Sequence, residues 1–338
     1  MLDQPSTTSY VGRLAPSPTG AQHLGNARTF LITWLLCRRA HGQLLMRIED
    51  LETPRIKLWA SDQAMEDLRW LGLDWDPTPN LSTTTLGTVV QSHRLVRYAD
   101  VLQRLIENDA VYPCTCTRSQ IEAMAAPHES VLDGPVYPGT CSKRRASEAK
   151  ELDREGTPYA WRFRMSPSQI RFDDLLIGDQ VLRSPVIELG DFVVARMNGA
   201  IAYQLAVVVD DHDTGVTDVV RGDDLVLSTY RQLSIYSHMN WSPPRFCHLP
   251  LVVGTDGRRL AKRHGDTRLA TLREAGIDPR TVIGYLAFRS GLLDRYVPMT
   301  PSELLAIDPL ARLLRASLVF DSANAVEEFK NLQVTIEG

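Results

Sequence analysis

The sequence predicts an α/β fold built around a parallel sheet, and three observations support this class. First, a strand, a turn of small residues and a helix follow one another directly between residues 10 and 40. Second, the apolar run 44–50 comes after that helix, as the next strand of a βαβ unit would. Third, the apolar runs 205–210 and 215–221 are typical of buried strands in the other half of such a sheet.

The turn between the first strand and the first helix is built from small or stiff residues, which lets a ligand approach the backbone. These residues are Pro16, Pro18, Gly20 and Gly25. The helix pattern that follows covers residues 27–40, with Gly42 in the C′ position. Free amide N–H groups and the helix dipole at such a helix start suit phosphate. The shape alone equally fits an ordinary βα loop, since neither Gly-Lys-Ser/Thr nor G-x-G-x-x-G is present.

Two carboxylates follow the second predicted strand. Glu49 and Asp50 stand where this strand reaches the carboxyl edge of the sheet, and ligands bind beyond that edge. A carboxylate there could hold an ammonium group. The alternative is a strand-end charge that faces water.

Two helices are predicted between residues 61 and 108. Apolar residues recur at helical spacing from Ser61 to Leu71, and Gly72 ends that helix. The second helix covers residues 92–108 and presents one apolar face to the core. That face consists of Leu95, Tyr98, Leu102 and either Leu105 or Ile106.

A cysteine-containing segment with many turns begins near residue 112. Its thiols belong to Cys114, Cys116 and Cys141. Three thiolates in a compact loop suit tetrahedral zinc, which favours sulfur and nitrogen ligands. Tyr137 and His128 are both candidates for a fourth ligand. The alternative is three small buried thiols that hold no metal.

Several weaker local signals complete the pattern. Residues 158–164 alternate as a strand does, and the pair 198–199 (Asn-Gly) between two apolar arms indicates a hairpin. The acidic run 210–213 could be a metal site by composition, but acids at a strand exit are more often turn and cap formers. The basic clusters 143–145 and 258–263 fit either a solvated face or a phosphate-contacting patch.

The C-terminal part of the chain is predicted to be helical. Residues 281–292 have a helix pattern, and Asp278 and Pro279 are its entry signals. Thr300 and Glu303 form a capping box that opens a further short helix.

Length and composition limit the class of protein. The 338 residues suffice for about two domains, or for one domain with a large insertion. A hydrophobic fraction of 43% and a charged fraction of 23% are typical of globular proteins, and the net charge of −4 gives no global sign of nucleic-acid binding. No signal-peptide pattern or run of membrane-span length occurs, and five cysteines do not suggest a disulfide framework. A cytoplasmic protein is therefore expected.

Several motifs carry a family resemblance. R-L-A-P-S-P-T-G at 13–20, followed by H-L-G-N at 23–26, resembles the HIGH-type signature of class I aminoacyl-tRNA synthetases, in the form found in the glutamyl-tRNA synthetase family. R-I-E-D at 47–50 and the two segments V-V-D-D-H at 208–212 and G-V-T-D-V-V-R-G-D-D-L at 215–225 resemble further parts of that family. The C-x-C and Y-x-x-x-C patterns resemble the zinc site of its short, truncated members.

The resemblance implies an enzyme that activates L-glutamate with ATP. It assigns the glutamate pocket to Arg13, Leu14, Ala15, Pro16, Ser17, Glu49, Tyr203 and Arg221. Arg221 would read the side-chain carboxylate, since guanidinium pairs bidentately with carboxylate, and Glu49 would hold the α-ammonium. The residues implied for ATP are His23, Gly25 and Lys262, of which His23 and Lys262 would be catalytic.

Lys262 lies in the segment that occupies the position of the KMSKS loop. Arg259 replaces its first lysine, and Ala261 and Arg263 replace its two serines, while the second lysine is kept. The charge of Lys262 would stabilise the α-phosphate and the leaving pyrophosphate. Mg²⁺ would arrive with ATP, bound mainly through the phosphates.

The resemblance also implies a domain plan and one structural zinc ion. The fold would be a Rossmann-type parallel sheet with an inserted zinc-containing subdomain and a C-terminal helical region. The zinc ligands would be Cys114, Cys116, Tyr137 and Cys141. The expected division is 1–111 for the first half of the nucleotide-binding fold, 112–201 for the inserted acceptor-type subdomain, 202–255 for the second half, and 256–338 for the KMSKS-like loop and a helical region.

The acceptor of the glutamate is the last expectation. The chain ends about where family members enter their anticodon-binding domain, which favours the truncated members. Those activate glutamate without tRNA and transfer it to queuosine in the anticodon of tRNA(Asp). Two alternatives stay open: a truncated glutamyl-tRNA synthetase that charges tRNA(Glu), and an RNA-binding paralogue without catalysis. A monomer is expected.

Overall fold

The computed structural model describes residues 9–51, 56–78, 87–124, 135–258, 260, 267–320 and 325–337. Its strands are β1 (Val11–Leu14), β2 (Gln43–Ile48), β3 (Val89–Val90), β4 (Val111–Cys114), β5 (Ala160–Phe163), β6 (Ile170–Asp174), β7 (Gly178–Leu182), β8 (Phe192–Ala195), β9 (Asp218–Gly222), β10 (Arg245–Leu249), β11 (Val252–Val253) and β12 (Leu318–Val319).

Helices alternate with these strands along the chain. They are α1 (Leu24–Arg39), α2 (Leu58–Trp70), α3 (Leu95–Glu107), α4 (Arg118–Met124), α5 (Ala149–Glu155), α6 (Pro185–Glu188), α7 (Tyr203–Asp213), α8 (Val226–Met239), α9 (Leu269–Glu274), α10 (Pro279–Arg289), α11 (Pro309–Arg312) and α12 (Ala325–Glu337). Short 3-10 helices cover Gln91–Arg94, Ala146–Glu148, Asp223–Leu225 and Ser302–Ala306. None of the described helices is both long and apolar enough to traverse a lipid bilayer.

Two sheets with parallel strands meet at β1 and β9, so the predicted parallel sheet is confirmed. Strands β1, β2 and β3 pair in that order and all run parallel. The second sheet has the order β7-β6-β10-β9, in which only β7 is antiparallel to its neighbour. The N–H of Thr217 donates to the carbonyl oxygen of Val11 at 2.9 Å, and Arg13 donates to that of Val220 at 3.2 Å. These bonds hold β9 beside β1.

A separate antiparallel sheet, β4-β5-β8, lies in the segment between the two halves. Cys114 ends β4 and faces the interior. The predicted hairpin signal marks a tight turn after β8, where Gly199 has a φ of 79° and Ala195 pairs with Ile201 as a single bridge. The chain then enters α7 rather than a second full strand.

The prediction of a strand over residues 205–210 is wrong, because these residues are helical. They lie inside α7, which is buried from Leu205 to Asp211 without interruption. A helix that is buried on all sides shows no polar stripe, so its sequence cannot be told from that of a buried strand by periodicity. The acidic residues after it consequently occupy the last helical turns and not a strand exit.

The end of α1 also differs from the prediction. Gly42 is not the residue in left-handed conformation; His41 is, with a φ of 51°. Gly42 is required for another reason, since an added Cβ would lie 2.4 Å from the carbonyl oxygen of Tyr10. Its N–H still closes the helix by donating to Cys37 at 2.9 Å.

Two further helix predictions are partly correct. In α3, Tyr98 and Leu105 are fully buried as expected, but Leu95 is 49% exposed and does not belong to the core. Asp278 caps α10 through the N–H of Arg280. The capping box of Thr300 and Glu303 forms, although it opens a 3-10 helix rather than an α-helix.

Candidate active site and metal site

A cavity of about 730 Å³ opens at the carboxyl ends of β1, β2 and β9. This is the edge at which sheets with parallel strands bind ligands. The predicted residues on its wall are Arg13, Ala15, Pro16, Ser17, His23, Gly25, Glu49, Tyr203 and Arg221. Leu14 is fully buried and does not line the cavity. Lys262 lies outside the described residues, with its neighbours Arg259, Ala261 and Arg263.

Glu49 is buried at the end of β2 with its two oxygens directed differently. One oxygen, Oε1, accepts from Arg47 at 3.0 and 3.3 Å, whereas Oε2 lies 3.5 Å from the hydroxyl of Ser17 on the cavity wall. Burial raises the pKa of Glu49, and the guanidinium groups of Arg47 and Arg13 partly oppose this. The carboxylate therefore keeps one oxygen turned toward a side chain that lines the cavity.

Arg47, the first residue of R-I-E-D, is the centre of a carboxylate cluster that the motif does not predict. It pairs with Glu49, forms a short hydrogen bond to Asp211, and lies 3.9 Å from Asp210. Burial alone would lower the pKa of Arg47, but Asp211 and Glu49 raise it well above its ordinary value. Asp211 also reaches the Nε of Arg13 at 3.6 Å. Arg47 thus has its positive charge compensated within the protein.

The acidic run at the end of α7 is therefore neither a cap nor a metal site. Asp210 accepts from Arg94 at 2.8 Å and from Tyr98 at 2.8 Å. Asp213 continues the network outward, pairing with Arg94 at 2.6 Å and Arg97 at 2.9 Å. Within the described ranges, the only group of three or more side chains gathered as potential metal ligands is the cysteine cluster.

Arg221 on β9 has the opposite environment. Its NH1 donates to Gln232 at 2.9 Å, its NH2 to Thr229 at 2.6 Å, and its Nε to the ring of His248 at 3.1 Å. Burial lowers the pKa of Arg221, and Arg13 adds to this effect, while the phenol of Tyr203 opposes it. Among the described residues no carboxylate lies within ion-pair distance of Arg221. A buried guanidinium held by neutral acceptors is a site for an anion from outside.

Two further side chains adjoin this charge. Tyr203, the first residue of α7, is half-buried on the cavity wall, and burial of its hydroxyl together with Glu49 raises its pKa, so the hydroxyl keeps its proton. The Nε of Arg13 is buried and makes no hydrogen bond within the described part of the chain. This Nε instead faces Asp211 at 3.6 Å, while the side chain of Arg13 lines the cavity.

The helix start predicted to hold phosphate is built around His23. The Nδ1 of His23 accepts from the N–H of Gly25 at 3.1 Å, and the side chain of Asn26 accepts from the N–H of His23 at 3.2 Å. Since Nδ1 accepts, the neutral ring carries its proton on Nε2. A Cβ at Gly25 would approach the ring to 3.0 Å, so glycine lets the imidazole lie against the turn. No acidic residue stands in the first turn of α1.

The three predicted cysteines meet in one place. Their sulfur atoms lie within 4.8 Å of one another, and those of Cys116 and Cys141 are 3.7 Å apart. The hydroxyl of Tyr137 lies 3.4 Å from the sulfur of Cys114 and 3.8 Å from that of Cys116. Zinc–sulfur bonds of about 2.3 Å give tetrahedral S···S edges of about 3.8 Å, so this donor set fits a tetrahedral metal. His128 lies outside the described residues.

The surroundings of this cluster favour anionic ligands. Arg162 donates to the sulfur of Cys114 at 3.3 Å and stacks over the ring of Tyr137, with its guanidinium carbon 3.9 Å from the ring centre. Burial alone would raise the pKa of Cys141, but hydrogen bonds from Thr115 and Tyr137 lower it to about 7. None of the three cysteines, nor Tyr137, is among the residues that line the cavity.

Comparisons with known proteins agree with this geometry. Residues 10–297 match the family model described as "tRNA synthetases class I (E and Q), catalytic domain". The chain is similar to the glutamyl-Q tRNA(Asp) synthetase of Rhodopirellula baltica, at 51% identity over 84% of this chain and 86% of that protein. The protein of the same name from Symbiobacterium thermophilum is 48% identical over 90% of this chain and 94% of its own length.

A solved structure has the same fold. The glutamate tRNA ligase from Elizabethkingia meningosepticum, solved in complex with its amino acid, superposes with a TM-score of 0.79 at 27% identity. The alignment covers 97% of this chain and 70% of that ligase. The predicted class I synthetase fold and the predicted family resemblance are both confirmed.

Proposed function

Because this chain belongs to the class I tRNA synthetases for glutamate and glutamine, and is therefore a ligase, we propose that its cavity activates L-glutamate with ATP. The observation that carries the proposal is the buried Arg221 with only neutral hydrogen-bond partners. The side-chain carboxylate of glutamate supplies the missing anion. Glutamine would forgo a charge-assisted hydrogen bond of about 1.5–3 kcal/mol, a roughly ten- to hundredfold preference for glutamate.

The remaining contacts to glutamate are assigned to other residues that line the cavity. Glu49 holds the α-ammonium through the oxygen that faces Ser17. Arg13 supplies the second cation, and Tyr203 adds a neutral hydroxyl. We assign Ala15 and Pro16 to the backbone wall beside these groups, whereas Leu14 packs in the core behind them.

ATP would occupy the part of the cavity at the start of α1. The dipole at the start of α1 favours phosphate, and His23 and Gly25 line this part of the cavity, although the N–H groups of both residues are bonded within the turn. An oxygen of the glutamate α-carboxylate attacks the α-phosphorus; the bond to the β-phosphate oxygen breaks, and pyrophosphate leaves with the electron pair. The carboxylate is already ionised, so no general base is needed. Lys262 would stabilise the growing charge, and Mg²⁺ would be bound mainly by the phosphates.

The proposed acceptor is queuosine in the anticodon of tRNA(Asp), and activation is proposed to need no tRNA. Relatives named glutamyl-Q tRNA(Asp) synthetase support this choice, since they match at 48–51% identity over 86–94% of their own length. Relatives named glutamate–tRNA ligase match less closely, at 36–39% identity and over 57–63% of their own length. We propose the insertion 112–201 as the RNA-contacting subdomain, between fold halves 1–111 and 202–255, and the chain as a monomer.

One experiment tests glutamate activation and the acceptor together. Purified protein is assayed for ATP–pyrophosphate exchange with glutamate in the absence of tRNA. Labelled glutamate is then offered with queuosine-bearing tRNA(Asp), with the same tRNA lacking queuosine, and with tRNA(Glu). We expect exchange without tRNA and transfer to the queuosine-bearing tRNA alone. Transfer to tRNA(Glu) would replace this proposal by the truncated glutamyl-tRNA synthetase, and absence of exchange would reject catalysis.

We further propose that Cys114, Cys116, Tyr137 and Cys141 bind one structural Zn²⁺. The tetrahedral spacing of their donor atoms and the adjacent Arg162 support this. Elemental analysis of purified protein should give one zinc per chain, and Cys141→Ala should lose it. Wild-type protein without bound zinc would reject the proposal.

A further inference from the structure

We infer that His248 and Asp174 are positioning residues that fix Arg221 for reading a carboxylate, so that selection of glutamate over glutamine depends on a buried neutral histidine. The inference rests on the proposed glutamate activation. No motif pointed to either residue. His248 is fully buried on β10, between β6 and β9, and Asp174 is 3% exposed at the end of β6.

The carboxylate of Asp174 determines the tautomer of His248. Its Oδ2 lies 2.6 Å from the ring Nδ1. The other oxygen, Oδ1, accepts from the backbone N–H groups of Leu176 at 2.9 Å and Ile177 at 3.0 Å. Burial alone would raise the pKa of Asp174, but these bonds and the one from His248 lower it, so it is an acceptor only. The proton shared with the ring therefore resides on Nδ1.

This tautomer leaves an acceptor where Arg221 needs one. With the proton on Nδ1, the neutral ring has its lone pair on Nε2, which lies 3.1 Å from the Nε of Arg221 and 3.0 Å from the hydroxyl of Thr229. In the other tautomer, the Nε2–H of His248 would face the Nε–H of Arg221, and neither could accept a hydrogen bond. The guanidinium plane is thus fixed at all three nitrogens, by His248, Gln232 and Thr229.

The ring must also stay uncharged. Burial lowers the pKa of His248, and Arg221 lowers it further, whereas Asp174 and Asp224 raise it. These are the charged groups that face it from β9, β6 and the 3-10 helix after β9; α8 contributes the neutral Thr229. A proton on Nε2 would remove the lone pair and place a second positive charge against Arg221.

A second line of contacts supports the same orientation. Gln232, which accepts from Arg221, donates to the side chain of Gln204 at 3.0 Å, and Gln204 donates to Ser228 at 2.9 Å. Every group that touches the guanidinium through these contacts is neutral, which preserves its charge for the ligand. Bidentate pairing requires a fixed plane, so loss of the Nε acceptor weakens carboxylate binding specifically.

The test compares His248→Leu, which removes the acceptor, with His248→Gln, whose Oε1 can take the place of Nε2. Asp174→Asn is a second route, because it removes the charge that holds the tautomer. His238→Gln on α8 is the matched control, since His238 contacts Phe163 and not Arg221. Initial rates of ATP–pyrophosphate exchange give KM for glutamate, KM for ATP and the preference over glutamine, and circular dichroism and urea midpoints establish folding.

We expect His248→Leu and Asp174→Asn to raise KM for glutamate about tenfold or more, the effect of about 1.4 kcal/mol, with KM for ATP unchanged. The preference over glutamine should fall in parallel, and His248→Gln should restore most of both. The wild-type KM for glutamate should rise on acidification, as His248 gains a proton, and this rise should be smaller in His248→Gln, in which only Glu49 still titrates.

The outcomes separate the inference from the proposed function. If the wild type exchanges pyrophosphate with glutamate but folded His248→Leu and Asp174→Asn keep its KM for glutamate, the positioning role is rejected and the proposed function stands. Equal increases of both KM values would also reject it, since they indicate general distortion. A wild type that does not respond to glutamate would overturn the proposed function itself.

Discussion

Two buried arginines beside the same cavity have opposite neighbours. Arg47 is surrounded by the carboxylates of Glu49, Asp211 and Asp210, and these raise its pKa well above the ordinary value. Arg221 is bound only by neutral groups among the described residues, and burial lowers its pKa. The comparison shows that burial of an arginine does not define its role. We propose that the internally paired guanidinium of Arg47 holds the fold, whereas that of Arg221, bound only by neutral groups among the described residues, is available to a ligand.

The pairing of Arg47 also serves the unpaired site. Because Asp210 and Asp211 are occupied by Arg47, Arg94 and Arg13, no carboxylate in the described part of the chain forms an ion pair with Arg221. The wall of the cavity therefore carries a positive charge ready for a substrate before the substrate arrives. Such preorganisation avoids a rearrangement when the ligand binds.

The largest expected effect is that of Arg47→Met on stability. Removal of one partner of a buried ion pair leaves Glu49 and Asp211 uncompensated, which costs about 3–5 kcal/mol. Urea unfolding at pH 7 should show this loss of unfolding free energy, or the variant should fail to fold. A loss equal to that of a surface arginine would contradict the assigned role of Arg47.

Glu49→Gln should weaken glutamate binding by about 1.5–3 kcal/mol, because the α-ammonium loses a charged partner. Burial raises the pKa of Glu49, so in the wild type the affinity is present above that raised pKa and is lost as the pH falls through it. Because the pKa of Glu49 is higher in the folded than in the unfolded chain, protonation of Glu49 favours the folded state. Calorimetric titration of glutamate between pH 5 and 8 should show a smaller acid loss of affinity in Glu49→Gln than in the wild type, the remainder coming from His248; an unchanged loss in Glu49→Gln would assign all of it to another group.

Arg221→Met should destabilise the fold less than the matched Arg47→Met. Its neutral partners each lose a hydrogen bond, and a buried polar group left unsatisfied costs about 1–3 kcal/mol. No charge is left uncompensated. The same urea titration compares the two variants directly, and an equal or larger loss for Arg221→Met would contradict the contrast between the two sites.

The smallest effect is expected at the outer end of the carboxylate network. Arg97 is 34% exposed in its side chain and pairs with Asp213 and Asp100. Exposed ion pairs contribute about 0.2–1 kcal/mol, so Arg97→Ala should cost no more than that. A loss of unfolding free energy as large as that of Arg47→Met would show that the contribution of an ion pair in this network does not depend on its burial.

The fold was largely predictable from local pattern, with one instructive exception. The small-residue turn, α1, β2 and β9 each have a distinct periodicity or punctuation, and the structure has them close to the predicted bounds. The prediction of a strand over residues 205–210 was wrong because α7 is buried on all sides and carries no polar stripe. The prediction that Leu95 belongs to the core was wrong because helical spacing does not show which apolar positions the rest of the fold covers.

The wall of the cavity and the cysteine cluster were predictable from motifs, but their supporting contacts were not. Arg47 pairs with Asp211 across 164 residues, and His248 with Asp174 across 74. The local sequence pattern around each residue gives no indication of pairs so far apart in the chain. One signal was available: Arg47 and Glu49 stand two apart on a strand, so their side chains share a face.

The most direct test of the account is the amino-acid selectivity of Arg221→Met in ATP–pyrophosphate exchange. We expect folded variant protein whose kcat/KM for glutamate falls about ten- to hundredfold or more and whose preference for glutamate over glutamine disappears, while KM for ATP is unchanged. A folded Arg221→Met variant that retains the wild-type preference for glutamate would contradict the claim that this unpaired guanidinium reads the substrate carboxylate.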